Sequence, residues 1–179
     1  MEMHSKLIME TTFEALHIRN GKVIGRRIQR RPWTRKMVEQ FLAWLREGRL
    51  PSDAGLVTTA GMTYLCTSFN NSTSNPMSAF EYHDAGTGTN SATIGQSALT
   101  SPWGGARATG APTASTNTFT TVATITFASG GPYAITEWGL FSASSSGTMW
   151  DRREFSAINV NNGDSIQFTY TCTCTAGGS

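Results

Sequence analysis

Hydrophobic and polar positions alternate over four stretches in the last third of the chain, and each stretch predicts a half-buried β-strand. In residues 119–127 the odd positions Phe119, Ala123, Ile125 and Phe127 are apolar, while Thr fills most of the even ones. Further strands are expected at 134–141, 148–160 and 165–174. In the last of these, Ile166, Phe168, Tyr170, Cys172 and Cys174 alternate with Ser, Gln and Thr without a break. The turn Asn161-Asn162-Gly163-Asp164 reads as a hairpin loop with Gly163 in the left-handed conformation, which opposes Ile158 to Ile166. Phe80 and Tyr82 open an earlier strand. Residues 86–116 read as a long Gly/Ser/Thr/Pro loop with at most a brief strand near Arg107, long enough that it is expected to cover a core or meet a neighbour.

At the other end, Asn20-Gly21 between two β-rich runs predicts a hairpin over 13–28. A two-residue loop opposes Arg19 to Lys22, Ile18 to Val23, Leu16 to Gly25 and Glu14 to Arg27. Pro32 ends the second strand and Thr34 can cap a helix over 35–47, whose Met37, Phe41 and Leu45 repeat at four-residue spacing. A shorter helix is expected over 59–69, where Met62, Leu65, Cys66 and Phe69 share one face. Composition shifts at Pro51 toward Ser, Thr and Gly. The chain therefore reads as mainly β: a basic arm over 1–50 (hairpin 13–28, helix 35–47), then an antiparallel β-sandwich or barrel body over 51–179.

A length of 179 residues suits one domain, and a charged fraction of 15% lies well below the usual ~25%. The net charge of +2 hides a split. Residues 1–50 hold eleven of the 14 basic groups against five Glu, or +6, whereas 51–179 hold Arg107, Arg152 and Arg153 against seven acids, or −4. A basic arm of this kind suits nucleic acid, an acidic protein surface or another copy of the body. The arm's run from Gly25 to Lys36 interleaves Arg with an aromatic; Arg26, Arg27, Arg30, Arg31, Trp33, Arg35 and Lys36 are the candidate partner-binding residues, with protein docking preferred and nucleic acid as the alternative. The start MEMHSKLIMETTF has no secretory pattern, and the longest apolar run, residues 41–45, is far too short to span a bilayer, so a soluble product of a cytosol is expected.

Candidate chemistry is sparse. Gly86-Thr-Gly88 starts like a dinucleotide fingerprint but lacks its third Gly and a following helix, so it reads as a turn. His83-Asp84 lacks companion ligands, and Cys172 with Cys174 reads as a pair of small buried hydrophobes rather than half a metal site. With no nucleophile elbow, and two of three His in the arm, neither an enzyme nor a cofactor is expected. Glu137 sits in the most apolar strand of the body and requires a partner; Arg152 or Arg153 on the next strand is expected to form a structural salt bridge with it.

The stretch Ile135-Thr-Glu-Trp-Gly-Leu-Phe141, followed by Gly147-Thr-Met-Trp-Asp-Arg-Arg-Glu-Phe155, resembles the collar-type fibre domains of tailed bacteriophages, which carry an I-x-E-x-G-L-F strand and then a G-x-L-x-x-R-x-x-F strand. Gly163 to Tyr170 is similar to a closing strand of short phage virion proteins. The resemblance covers roughly 57–174 and consists of packing motifs. It implies a structural virion protein, made in the host cytoplasm, that docks on the capsid, collar or tail as a fibre-like piece or a head decoration. The 86–116 loop, charged only at Arg107, and the exposed-looking Trp103 and Trp150 predict a homo-oligomer, and the resemblance favours a trimer.

Overall fold

The alternating stretches do form strands in a computed structural model of the chain, whose described residues are 6–32, 56–58, 60–61, 64 and 76–177. Ten strands appear: β1 (Lys6–Arg19), β2 (Lys22–Pro32), β3 (Leu56–Val57), β4 (Tyr82–Gly86), β5 (Ala108–Thr109), β6 (Ala111–Ser115), β7 (Thr118–Thr126), β8 (Tyr133–Phe141), β9 (Met149–Val160) and β10 (Ser165–Gly177). They pair antiparallel in two five-stranded sheets, sheet A in the order β2-β1-β10-β7-β6 and sheet B in the order β3-β9-β8-β4-β5. The sheets pack face to face as a β-sandwich. Phe13 of β1, Ile125 of β7, Trp138 and Leu140 of β8, and Ile166, Phe168 and Tyr170 of β10 are all buried in one cluster between them. Phe13 and Trp138, from opposite sheets, bring their rings to 4.8 Å, and Trp138 stacks on Tyr170 at 5.7 Å. Burial of such a side chain contributes roughly 1.5–3 kcal/mol, and an aromatic pair about 0.5–1.5 kcal/mol more.

Several expectations change at the level of pairing. The hairpin 13–28 is not a free arm: it extends to Lys6 and Pro32, and β1 pairs with β10 from Lys6↔Gly177 to Ile18↔Ser165. Its two-residue turn does oppose Arg19 to Lys22 and Ile18 to Val23, with Asn20 and Gly21 both at positive φ. A bulge after His17 then shifts the register, so that Leu16 faces Arg26 and Glu14 faces Ile28 instead of Gly25 and Arg27. The predicted 160–165 hairpin is a corner between sheets. Gly163 has φ +89° as expected, but β9 stays in sheet B while β10 pairs with β1 and β7, so Ile158 and Ile166 join one core from opposite sheets rather than pairing along a ladder.

The 86–116 loop contains β5 and β6, and its remainder folds back on sheet B. Trp150 is buried, its indole donating to Tyr170 Oη at 2.7 Å, so it does not lie open to a neighbour, whereas Trp103 packs on Phe127 and Tyr133 and is only partly buried. Ala60, Gly61 and Tyr64, the described residues of the expected 59–69 helix, are helical. The expected helix 35–47 lies outside the described residues.

Candidate functional site: a basic sheet edge

The residues that looked like chemistry in the sequence turn out to hold the sandwich together. Glu137 is fully buried on the outer face of sheet B. Its carboxylate accepts hydrogen bonds from the backbone N–H groups of Gly88 (3.1 Å), Thr100 (3.1 Å) and Ser101 (2.7 Å) and from Arg152 Nε (2.8 Å), while Arg152 Nη2 lies 2.7 Å away. Arg152 also reaches Glu154 at 2.5 Å and the carbonyl of Asn90 at 2.9 Å. One ion pair thus clasps the 87–101 loop to the sheet, and the glycines of the Gly86-Thr-Gly88 turn make room for it. A Cβ at either Gly86 or Gly88 would approach Glu137 Oε1 to 2.5 Å.

Arg153, the other candidate partner of Glu137, points the opposite way. It lies between the sheets, pairs with Asp151 at 2.6 Å and donates to Thr11 Oγ1 of β1, which ties β9 to the hairpin. Arg152 is therefore the donor to Glu137, because residues 152 and 153 of a strand face opposite ways.

His83 is buried with both ring nitrogens engaged. The indole of Trp138 donates to Nδ1 at 3.2 Å, so the proton sits on Nε2, which donates to Thr121 Oγ1 at 3.2 Å. Burial lowers its pKa from 6.5 to about 3, and the ring is neutral. Its neighbour Asp84 pairs with Arg107 at 3.3 Å; burial raises that carboxyl above its ordinary value. Cys172 and Cys174 are unbridged, and burial pushes the Cys172 thiol up to about 12. Among the described residues no group of three or more His, Cys, Asp or Glu could hold a metal ion, and no helix is long and apolar enough to cross a membrane.

Asp164 escaped the sequence reading, since Asn-Asn-Gly-Asp looks like ordinary turn chemistry. It is 3% exposed and accepts from Arg19 Nη2 (2.8 Å) and Nε (2.9 Å) and from the Asn161 N–H (2.9 Å), with His17 Nε2 at 3.2 Å. The Arg19 hydrogen bond holds its carboxyl well below the usual carboxylate range. The hairpin tip and the corner between the sheets are locked together by this one side chain.

Of the sheet edges, β2 is the one that carries exposed aliphatic and basic side chains together. Among the described residues it is an edge strand of sheet A, paired only with β1. Phe13, Ala15 and His17 of β1 face inward, so Glu14, Leu16 and Ile18 face outward, beside Ile28, Arg26 and Val23 of β2. Val23, Ile24 and Ile28, at 57%, 52% and 43%, are the exposed large hydrophobic residues among those described. They share the strand with exposed Lys22, Arg26, Arg27 and Arg30. Arg26 pairs with Glu14, Arg27 reaches the carbonyl of Arg26, and Gln29 anchors the strand by donating to the Glu154 carbonyl of sheet B at 2.7 Å. Of the other candidate residues, Arg31 contributes backbone to β2, while Trp33, Arg35 and Lys36 lie outside the described residues. The aliphatic members of this surface were missed in the sequence. Their signal was that Lys22-Val-Ile-Gly-Arg-Arg-Ile-Gln lacks the two-residue period that one buried face imposes. In comparisons with known proteins, no family model, no curated protein and no solved structure matches the chain.

Proposed function

We propose that this chain is a structural virion protein of a tailed bacteriophage, a β-sandwich building block that docks on a capsid, collar or tail neighbour through the basic β1–β2 surface. The observation that carries the docking half is the placement of Val23, Ile24 and Ile28 on the same edge strand as Lys22, Arg26, Arg27 and Arg30. Apolar contact with charge around it is how interfaces combine affinity with orientation. The virion half is supported by the resemblance of residues 135–141 and 147–155 to collar-type fibre strands; these motifs fall on the neighbouring strands β8 and β9. A building block rather than an enzyme is supported by the use of Glu137, whose carboxylate is committed to three backbone hydrogen bonds and an arginine. The same reading carries a homo-oligomer, with a trimer favoured by the habit of the fibres it resembles.

Particles lacking this protein, titrated with the intact chain and with an Arg26→Glu/Arg27→Glu/Arg30→Glu variant, test the reading. Saturable attachment of the intact chain and at least tenfold weaker attachment of the variant are expected. Light scattering on the free chain, and its copy number in the particle, test the trimer. The second reading, nucleic-acid binding through the same arginines, replaces the first if DNA binds with a steep log-linear salt dependence while particles do not bind.

A further inference from the structure

The geometry points to the manner of docking: we propose that the edge of β2, unpaired among the described residues, takes up an extended, acidic segment of a partner protein as a sixth strand of sheet A. This rests on the docking reading and adds to it the partner's shape and charge. From Gly25 to Pro32, β2 pairs with His17 to Glu10 in unbroken antiparallel register, so beyond the bulge its outer side is a straight run of backbone N–H and C=O groups. A regular edge of this kind is completed by another backbone, and the added strand's side chains then read the neighbouring faces. The faces here are cationic and aliphatic together. Arg26, Ile28 and Arg30 alternate with Arg27 and Gln29, and Glu14 is the acid that pairs across the β1–β2 ladder.

Basic groups on an edge repel indiscriminate pairing, and an acidic strand turns that repulsion into attraction. A second copy of β2 fails the same condition, because antiparallel addition would set arginine against arginine. The body of a second copy is a poor acidic target too. Four of its seven acids are buried in ion pairs: Asp84 with Arg107, Glu137 with Arg152, Asp151 with Arg153 and Asp164 with Arg19. Residues 33–55 of this chain, with Arg35, Lys36, Arg46 and Arg49 against Glu39, Glu47 and Asp53, carry no acidic excess to offer. Nucleic acid suits the edge less well. The carbonyls along it repel phosphate, and Val23, Ile24 and Ile28, the exposed large apolar residues among those described, provide no ring for a base to stack on.

The test uses the full chain and fluorescein-labelled, end-blocked nine-residue peptides in which Glu alternates with Val, Ile, Thr or Phe. Fluorescence anisotropy should show saturable binding of at least one of them, and at least tenfold weaker binding of its Lys-for-Glu counterpart. N-methylation of two consecutive central residues removes one donor from each edge of the peptide and should cost at least tenfold. Hydrogen exchange at the amides of residues 25–31 should slow on binding. Arg26→Glu/Arg30→Glu should exchange the preference from the Glu peptide to the Lys peptide, a readout that a misfolded variant would not give.

If no acidic peptide binds up to millimolar concentration, or the N-methylated form binds equally well, strand addition is wrong. In the latter case docking through the basic side chains stands. If single-stranded DNA binds and the peptides do not, both the inference and the reading beneath it fail. Dimerisation of the free chain that is abolished by Arg26→Glu would assign the edge to a second copy instead.

Discussion

At the scale of single residues, Glu137 shows how far a sequence can be read and where reading stops. Its place in an apolar strand requires a cation and hydrogen bonds, which Arg152 and the 87–101 loop supply. The need for a partner was legible from the strand's composition. The choice between Arg152 and Arg153 was not, because it depends on which face each presents after the β8–β9 register shifts. The reason for Gly88 was equally hidden: no turn rule contains a carboxylate arriving from a strand 49 residues later. Glu137→Gln leaves Arg152 buried with only Glu154 as an anionic partner, and should destabilise the fold by about 3 kcal/mol, the lower end for breaking a buried pair. Gly88→Ala pushes a methyl against the same carboxylate and should cost ~1–3 kcal/mol by overpacking. Since both act on one site, the double variant should fall short of the sum in urea unfolding, and strict additivity would separate Gly88 from the clasp.

At the scale of elements, alternation identified β7, β8, β9 and β10 almost to their ends, because a strand with one face in a core must alternate. Alternation says nothing about sheet membership. The corner at 161–164 therefore looked like a hairpin, and the β1–β2 hairpin, with a sharp turn signal and seven arginines and lysines in its sequence, looked like an arm. In the sandwich β1 lies second from the edge of sheet A, with buried Phe13 and Ala15 pointing into the core. A chain beginning at Pro51 would lose both strands and strip one side of β10 of its pairing from Ser165 to Gly177. Deleting a buried Phe side chain alone costs about 3–5 kcal/mol, against a total stability of about 5–15 kcal/mol for a typical domain. The truncated chain should show no cooperative unfolding transition and a collapsed near-ultraviolet circular dichroism spectrum. A folded, cooperative truncation would restore the hairpin to the status of an appendage. For the same reason docking is tested by charge reversal on β2 and not by removing it.

At the scale of the whole molecule, the charge split in the sequence suggested a basic piece on an acidic body, yet the fold withdraws most of the body's acids from its surface. Asp84, Glu137, Asp151 and Asp164 are buried, and His83 is buried with them. Sheet B carries ionisable groups on both faces, Asp151 and Arg153 inward and Glu137 and Arg152 outward, because a loop covers what would otherwise be its solvated side. Stability must then depend on pH in a way that surface charge would not produce.

His83 has a folded pKa of about 3 against 6.5 when unfolded, so between those values the unfolded chain binds a proton that the folded chain refuses. Its contribution is complete above pH 6.5 and is lost as pH falls toward 3, at up to ~1.4 kcal/mol per pH unit. Asp164, held low by Arg19, has the same sign but acts only below its ordinary value of 3.8. Asp84 and Glu154, raised by burial, take up protons in the folded state first and so act in the opposite sense as pH falls through their raised values. The window just below pH 6.5 therefore isolates the histidine from Asp164. His83→Gln can still accept from Trp138 and donate to Thr121 without titrating, and every other group is common to both proteins. Urea midpoints from pH 7.5 to 4.5 should fall more steeply for the native chain than for His83→Gln, the two curves converging toward the acid end. Parallel curves would mean that His83 is not held neutral in the fold.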